Sequence, residues 1–307
     1  MELVTSPEVR AAMNDARPIV ALESTVIAHG LPAPDNLETA RRLEDTVRAN
    51  GAVPATIAVL DGKVHIGLIG AQLQRVAEAC GMRKISVRDL GSVVAMGDSG
   101  ATTVSSTIFL AARAGIRVFA TGGIGGVHRW TPDVSADLSQ LALTPIVVVC
   151  AGVKSILDVP ATLERLETLG VVVLGYRSEN FPGFYVTDSG QAVNFRVDDP
   201  GTVARIARTT WQMGLERAVV VGNAVPRNQA MDPMAHERIL NDALRAADVA
   251  GVTGQAVTPF LLKQFAQASG GESVAVNKAL LIANAALAAA IAVAIEQDAG
   301  PTGNTTG

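Results

Sequence analysis

Short apolar runs and amphipathic stretches alternate along most of the chain. Residues 19–22, 56–60, 64–68, 117–121, 145–150, 171–174 and 218–222 are rich in Val, Ile, Leu and Ala with few polar interruptions. Such runs mark strands that are covered on both faces. Between the first two, residues 36–50 carry Leu37, Ala40, Leu43 and Val47 at helical spacing and stop at Gly51, an ordinary glycine stop signal. The same spacing predicts helices over 71–79, 102–114, 161–169, 202–213, 233–247 and 273–297. Alternation of this kind predicts an α/β fold of three layers, a mostly parallel sheet covered by helices on both faces. No Pro/Gly/Ser-rich linker and no internal repeat divides the chain, so residues 1–299 are expected to form a single domain and 300–307 a disordered tail.

Composition narrows the function classes. With 49% hydrophobic and 18% charged residues among 307, the chain can bury a large core. A net charge of -4 without Lys/Arg runs argues against a nucleic-acid footprint, so any anion must be bound locally. Cys80 and Cys150 are far apart in a chain too large to need disulfides, and read as buried thiols in a reducing compartment. Residues 1–17 contain no signal-peptide core, which makes a cytoplasmic location the expectation. Residues 279–295 imitate a membrane span but are alanine-dominated, interrupted by Asn284 and shorter than the ~20 residues a span needs, so a buried core helix is predicted.

Candidate chemistry starts at Lys154, which follows the run Val147-Val148-Val149-Cys150. An amine at the end of a buried strand suggests covalent work on a carbonyl or sugar, since apolar walls and nearby positive charge favour a neutral, nucleophilic lysine. The alternative is a lysine at a helix start that reaches solvent. Glu23, at the end of the first predicted strand, must be partnered or functional. The stretch Thr121-Gly122-Gly123-Ile124-Gly125-Gly126-Val127-His128-Arg129 lacks the spacing of either nucleotide-binding glycine loop. A turn with positive φ accounts for one or two of its glycines but not for four. The hydroxyl-rich segment from Gly97 to Thr107 reads either as a phosphate site at a helix N-terminus or as ordinary capping by Thr102. Asp133 and Asp137, four apart, share a helix face if both are helical, but Asp133 is the expected cap before that helix. As a hard oxygen ligand Asp133 can also hold Mg²⁺ or Mn²⁺ together with waters.

The strings from Ala21 to Gly30, Lys84 to Leu90, Gly100 to Thr107, Thr121 to Arg129, Ser135 to Leu138, Val148 to Asp158, Phe181 to Tyr185 and Val257 to Leu262 occur in consistent order. Together they resemble the pseudouridine-5′-phosphate glycosidase family, which includes the indigoidine-synthase-A-like proteins. The resemblance implies reversible conversion of pseudouridine 5′-phosphate and water to uracil and ribose 5-phosphate. It makes Lys154 the nucleophile, Glu23 the proton donor and Asp133 the ligand of one Mn²⁺ per subunit. Lys84, the backbone around Val104, and Ser135, Ala136 and Asp137 would hold substrate, with His128 and Asn277 near the site, in a homotrimer that engages neither nucleic acid nor membrane. The loop from His128 to Asp133 is shorter than the family pattern, and the segment from Gly222 to Asn228 departs from the Pro-x-Pro form, which points to altered base recognition. His29, His65 and His236 read as structural or surface residues. The competing classes are a non-catalytic sugar-phosphate binding protein and a Schiff-base lyase acting on a related C-nucleotide. Retention of Glu23, Lys84, Asp133 and Lys154 together favours catalysis, because a binding protein needs the phosphate contacts but neither acid nor nucleophile.

Overall fold

The computed structural model describes residues 3–79, 81–129, 133–252 and 257–297; Cys80, Trp130 and the expected tail lie outside them. Strands run β1 (Leu3–Thr5), β2 (Ile19–Leu22), β3 (Val53–Leu60), β4 (Lys63–Ile66), β5 (Arg83–Ile85), β6 (Gly100–Thr102), β7 (Val118–Ala120), β8 (Val147–Cys150), β9 (Val172–Tyr176), β10 (Phe195–Val197) and β11 (Val219–Asn223). Helices are α1 (Pro7–Asn14), α2 (Asp35–Ala49), α3 (Gly70–Glu78), α4 (Leu90–Ala95), α5 (Val104–Arg113), α6 (Ala136–Leu141), α7 (Val159–Thr168), α8 (Pro200–Gln212), α9 (Pro233–Val249), α10 (Val257–Ala268) and α11 (Glu272–Gln297). Asp158, Asp199 and Asp232 cap α7, α8 and α9 through their carboxylates, each with proline in the first turn, where a missing N–H costs nothing.

The strand order is β1-β4-β3-β2-β7-β8-β11-β9-β10, with β6 on β3 and β5 on β6. From β3 to β10 every neighbour along this path is parallel. The long strand β3 joins two parts of the sheet. Its first half pairs with β2, Val53↔Ile19 to Thr56↔Leu22, and its second half runs antiparallel to β4 and β6. Val147 to Val149 and Val219 to Val221 are fully buried, as expected of strands covered on both faces. The connection β2-α2-β3 moves one way along the sheet and β7-α6-β8 the other, so right-handed crossovers put α2 and α6 on opposite faces. The chain therefore reverses direction between β2 and β7, and a crevice opens outside their carboxyl ends.

The apolar helix α11 passes the length and composition test for a membrane span, yet 56% of its most apolar window is buried inside the protein. It packs along β2, β7 and β8 between α2 and α8, the place of a core helix. Cys150 is a buried free thiol, its pKa pushed up to about 12 by burial.

Three local expectations are corrected. Thr102 ends β6 and donates its hydroxyl to the Ile57 carbonyl at 2.7 Å, so it does not cap α5; Thr103 holds the cap position. Asp133 does not cap α6. Val134 bridges to Val127, which keeps this stretch extended, and the Ser135 hydroxyl accepts from the Asp137 amide at 3.2 Å instead. None of Gly122, Gly123, Gly125 and Gly126 has positive φ. Crowding explains Gly123, Gly125 and Gly126: a Cβ at Gly123 would lie 2.6 Å from the Phe184 ring, and one at Gly125 would overlap Ser135 Oγ and lie 2.7 Å from Asp137 Oδ2.

Candidate active site

The carboxyl ends of β2, β7 and β8 deliver Glu23, Thr121 and Lys154 to the crevice at the switch point. Glu23 is 6% exposed. Its carboxylate accepts the hydroxyls of Thr25 and, at 2.5 Å, of Thr121, as a buried acid requires. Lys154 lies four residues before the cap of α7, so it is not the helix-start lysine of the alternative reading. Its amide donates to the Ile124 carbonyl at 3.1 Å, and its carbonyl accepts from Leu157 at 2.9 Å, which fixes the backbone beneath a half-buried side chain.

Two chambers meet over these residues. One, about 210 Å³, is lined by Lys84, Ser86, Arg88, Thr103, Val104, Ser105, His128, Asp133, Ser135, Ala136 and Asp137. The other, about 280 Å³, is lined by Glu23, Val26, His29, Thr121, Gly122, Gly123, Phe184, Leu262 and Asn277. Thr25, Lys84 and Lys154 line both. The first chamber has the donors for an anion: Lys84, Arg88 and the start of α5, where the Val104 N–H has no acceptor among the described residues. The second exposes mostly apolar surface, broken by Glu23, His29, Thr121 and Asn277, which suits an apolar ring with polar edges.

The interior of this site is braced by Asp137, 5% exposed. One oxygen accepts the Ser105 amide at 2.9 Å and the other the Gly125 amide at 2.8 Å. The carboxylate thus ties the first turn of α5 to the glycine loop. Of the hydroxyls in the segment from Gly97 to Thr107, those of Ser106 and Thr107 are buried and spoken for, by the Ile85 carbonyl at 2.7 Å and Thr102 at 2.9 Å; Thr103 and Ser105 line the chamber. The Lys84 side chain stands in the open cleft, but its ammonium is crowded by protein and faces Lys154, which together push its pKa down; Asp137 and Glu23 oppose that shift.

All the site residues read from the sequence line these two chambers. His128 Nε2 lies 3.6 Å from Asp133 Oδ2, and their backbones are joined by a 3.0 Å hydrogen bond. Among the described residues no group of three or more His, Cys, Asp or Glu side chains is arranged to hold a metal. His29, read as structural or surface, stands on the wall of the second chamber, its pKa lowered by burial of the ring and by Lys84. Thr25, Thr121, Arg88 and Phe184 also line the chambers, and nothing in their local sequence spacing distinguishes them. No residue from Gly222 to Asn228 lines either chamber, so the departure there falls on the scaffold.

Fold and site define a class: α/β proteins that hold a lysine and a buried carboxylate over the switch point of a parallel sheet, between an anion chamber and an apolar one. The chain belongs to the family described as indigoidine synthase A like protein, whose model matches residues 8–294. It is 56% identical over 297 residues to a pseudouridine-5′-phosphate glycosidase of Streptomyces griseus subsp. griseus, covering 95% of this chain and 92% of the relative. A protein of the same name from Symbiobacterium thermophilum is 52% identical, covering 95% and 97%. Among solved structures, the prealnumycin C-glycosynthase AlnA in complex with ribulose 5-phosphate superposes with a TM-score of 0.90 at 41% identity, covering 97% of this chain and 98% of that one. An indigoidine synthase A-like protein from Thermotoga maritima gives 0.88 at 38%, covering 96% of each.

Proposed function

We propose that the protein is a pseudouridine-5′-phosphate glycosidase, cleaving the carbon–carbon glycosidic bond to give uracil and ribose 5-phosphate, reversibly. The observation that carries this reading is that Lys154 lines both chambers. In a nucleotide 5′-phosphate the glycosidic carbon lies between base and sugar phosphate, so a lysine at the junction faces C1′. The relatives' names, and the ribulose 5-phosphate held by AlnA, support a sugar phosphate in the anion chamber.

The base leaves as carbon, a poorer leaving group than the nitrogen of an ordinary nucleoside, so a pair of carboxylates is not enough. The Lys154 amine bonds to C1′ as the C1′–O4′ bond breaks, and the 4′-oxygen takes a proton from Glu23. Glu23, now a carboxylate, takes a proton from the new C1′–N ammonium; the nitrogen lone pair drives cleavage of C1′–C5 to an iminium, and Glu23 returns that proton to uracil C5. Water hydrolyses the iminium, releasing ribose 5-phosphate and the free amine. Lys84 and the Val104 amide at the start of α5 hold the phosphate, and Asn277 reaches the base.

Asp133 exposes about half of its side chain on the wall of the anion chamber beside His128. One carboxylate with room for waters fits a hydrated hard cation such as Mn²⁺ and not a multidentate cage. When bound, such an ion polarises and orients substrate oxygens. A cytoplasmic location, a single domain over residues 1–299 and a homotrimer belong to the same proposal.

Borohydride treatment with ribose 5-phosphate is expected to add a reduced pentose-phosphate mass to the Lys154 peptide. Lys154→Ala should lose both the adduct and uracil release while keeping its fold. Near-wild-type uracil release by Lys154→Ala refutes the reading.

A further inference from the structure

A side-chain network behind the site is used by none of the steps above. Asn284 is fully buried near the middle of the apolar helix α11. Its Nδ2 donates to the Thr121 carbonyl at 2.8 Å, and its Oδ1 accepts from Asn223 Nδ2, on β11, at 3.0 Å. Thr121 in turn gives its hydroxyl to Glu23. The Asn284 amide loses its solvation on burial, and one of its partners is a buried backbone carbonyl that no substitution can make apolar, so the bond also serves the fold. What the amide does hold is the first peptide after β7, the point from which the Thr121 side chain reaches Glu23.

We propose that Asn284 and Asn223 are positioning residues for proton transfer: they fix the Thr121 peptide so that its hydroxyl, opposite that of Thr25, orients the Glu23 carboxylate toward the substrate carbon. Neither asparagine lines a chamber; they reach the second one only through Thr121, and neither touches the anion chamber. The network acts on the step that uses Glu23 and not on phosphate binding. This rests on Glu23 as the proton donor.

The test uses Asn284→Leu, and also Asn284→Leu with Asn223→Val, because the single change leaves the Asn223 amide without its acceptor and can unfold the chain. In the folded variant kcat for uracil release is expected to fall at least tenfold, with KM changed less than threefold. The equilibrium yield of borohydride adduct with saturating ribose 5-phosphate should stay the same. Thr121→Val should lower kcat similarly, and combining it with the asparagine changes should lower it no further, since residues acting through one another are non-additive. Wild-type kcat in the folded double variant overturns the proposal, as do parallel losses in KM and adduct yield, or multiplicative effects with Thr121→Val. Glu23→Gln, run alongside, separates the two levels: if it retains turnover the proton-donor reading fails, whereas a dead Glu23→Gln beside a fully active asparagine variant sinks the positioning role alone.

Discussion

Asp137 is where the family resemblance and the geometry make different demands. The resemblance implies a substrate contact, but both oxygens already accept backbone amides, Ser105 at 2.9 Å and Gly125 at 2.8 Å, in a side chain only 5% exposed. Asp137→Asn keeps the shape but has one acceptor for two N–H donors, so its NH₂ must face one of them. A hydrogen bond to a charged group contributes about 1.5–3 kcal/mol, and a buried donor left unpaired costs about 1–3 kcal/mol. These overlap, so about 2–4 kcal/mol is the expected destabilisation, and somewhat more for Asp137→Ala, which leaves both amides unpaired. An unfolding entropy of about 2.1 cal/mol/K per residue gives roughly 0.6 kcal/mol per degree for a chain this long, hence a Tm lowered by about 3–6 °C. Calorimetry of the substrate-free variants measures this, with kcat and KM taken below the transition. An unchanged Tm with a raised KM would show that the carboxylate serves the substrate and that its bonds to the two amides carry no structural weight.

Lys84→Met should weaken binding of ribose 5-phosphate at least tenfold and yet raise Tm of the substrate-free protein, because burial and Lys154 disfavour the Lys84 charge; a lowered Tm in thermal melts contradicts that electrostatic reading. Exhaustive chelation should abolish uracil release, with Mn²⁺ restoring it, and Asp133→Asn should raise the metal concentration needed; full activity with metal absence verified by mass spectrometry refutes the role of Asp133. The His236 pKa is lowered to about 4, by burial and then by Arg129, from 6.5. The unfolded chain therefore binds the proton first on acidification, and the stability this provides is complete above pH 6.5 and lost as pH falls toward 4. Between pH 7.5 and 4.5 wild type should lose about 2–3 kcal/mol more than His236→Phe in denaturant titrations, and coincident losses would show that His236 is not the sensor.

The strands with strong apolar runs were legible. Residues 19–22 match β2 residue for residue, and 218–222 is offset from β11 by one. Those missed, β1, β5, β6 and β10, are three residues each, and β5 begins with Arg83 and Lys84. Such strands exist because a neighbour supplies their hydrogen bonds, and that neighbour is distant in sequence. The consequence reached the site, since β5 carries Lys84 to it. Helix α1 was readable but overlooked: Ser6 caps it and Pro7 opens it. The nucleophile and acid were legible because a charged residue at the end of an apolar strand is conspicuous. Thr25, Thr121 and Asn284 were not, since hydroxyls and amides reveal their purpose only once their partners are known.

The glycine loop shows how tightly scaffold and chemistry are joined. None of its four glycines is there for left-handed backbone, and Gly123, Gly125 and Gly126 are there for lack of bulk. Gly123 leaves room for Phe184, a wall of the apolar chamber, and Gly125 for Ser135 and Asp137, which brace the anion chamber. Between them Ile124 accepts the amide of Lys154 through its carbonyl and takes the Gly152 carbonyl through its own N–H at 3.1 Å. One short segment therefore sets the height of the nucleophile, the position of the ring-binding wall and the anchor of α5. A side chain at Gly123 or Gly125 pushes on both chambers from between them. Its effect on turnover should then exceed what its effect on stability predicts, because positional errors of about 1 Å can cost a hundredfold in rate while costing a fold of this size little.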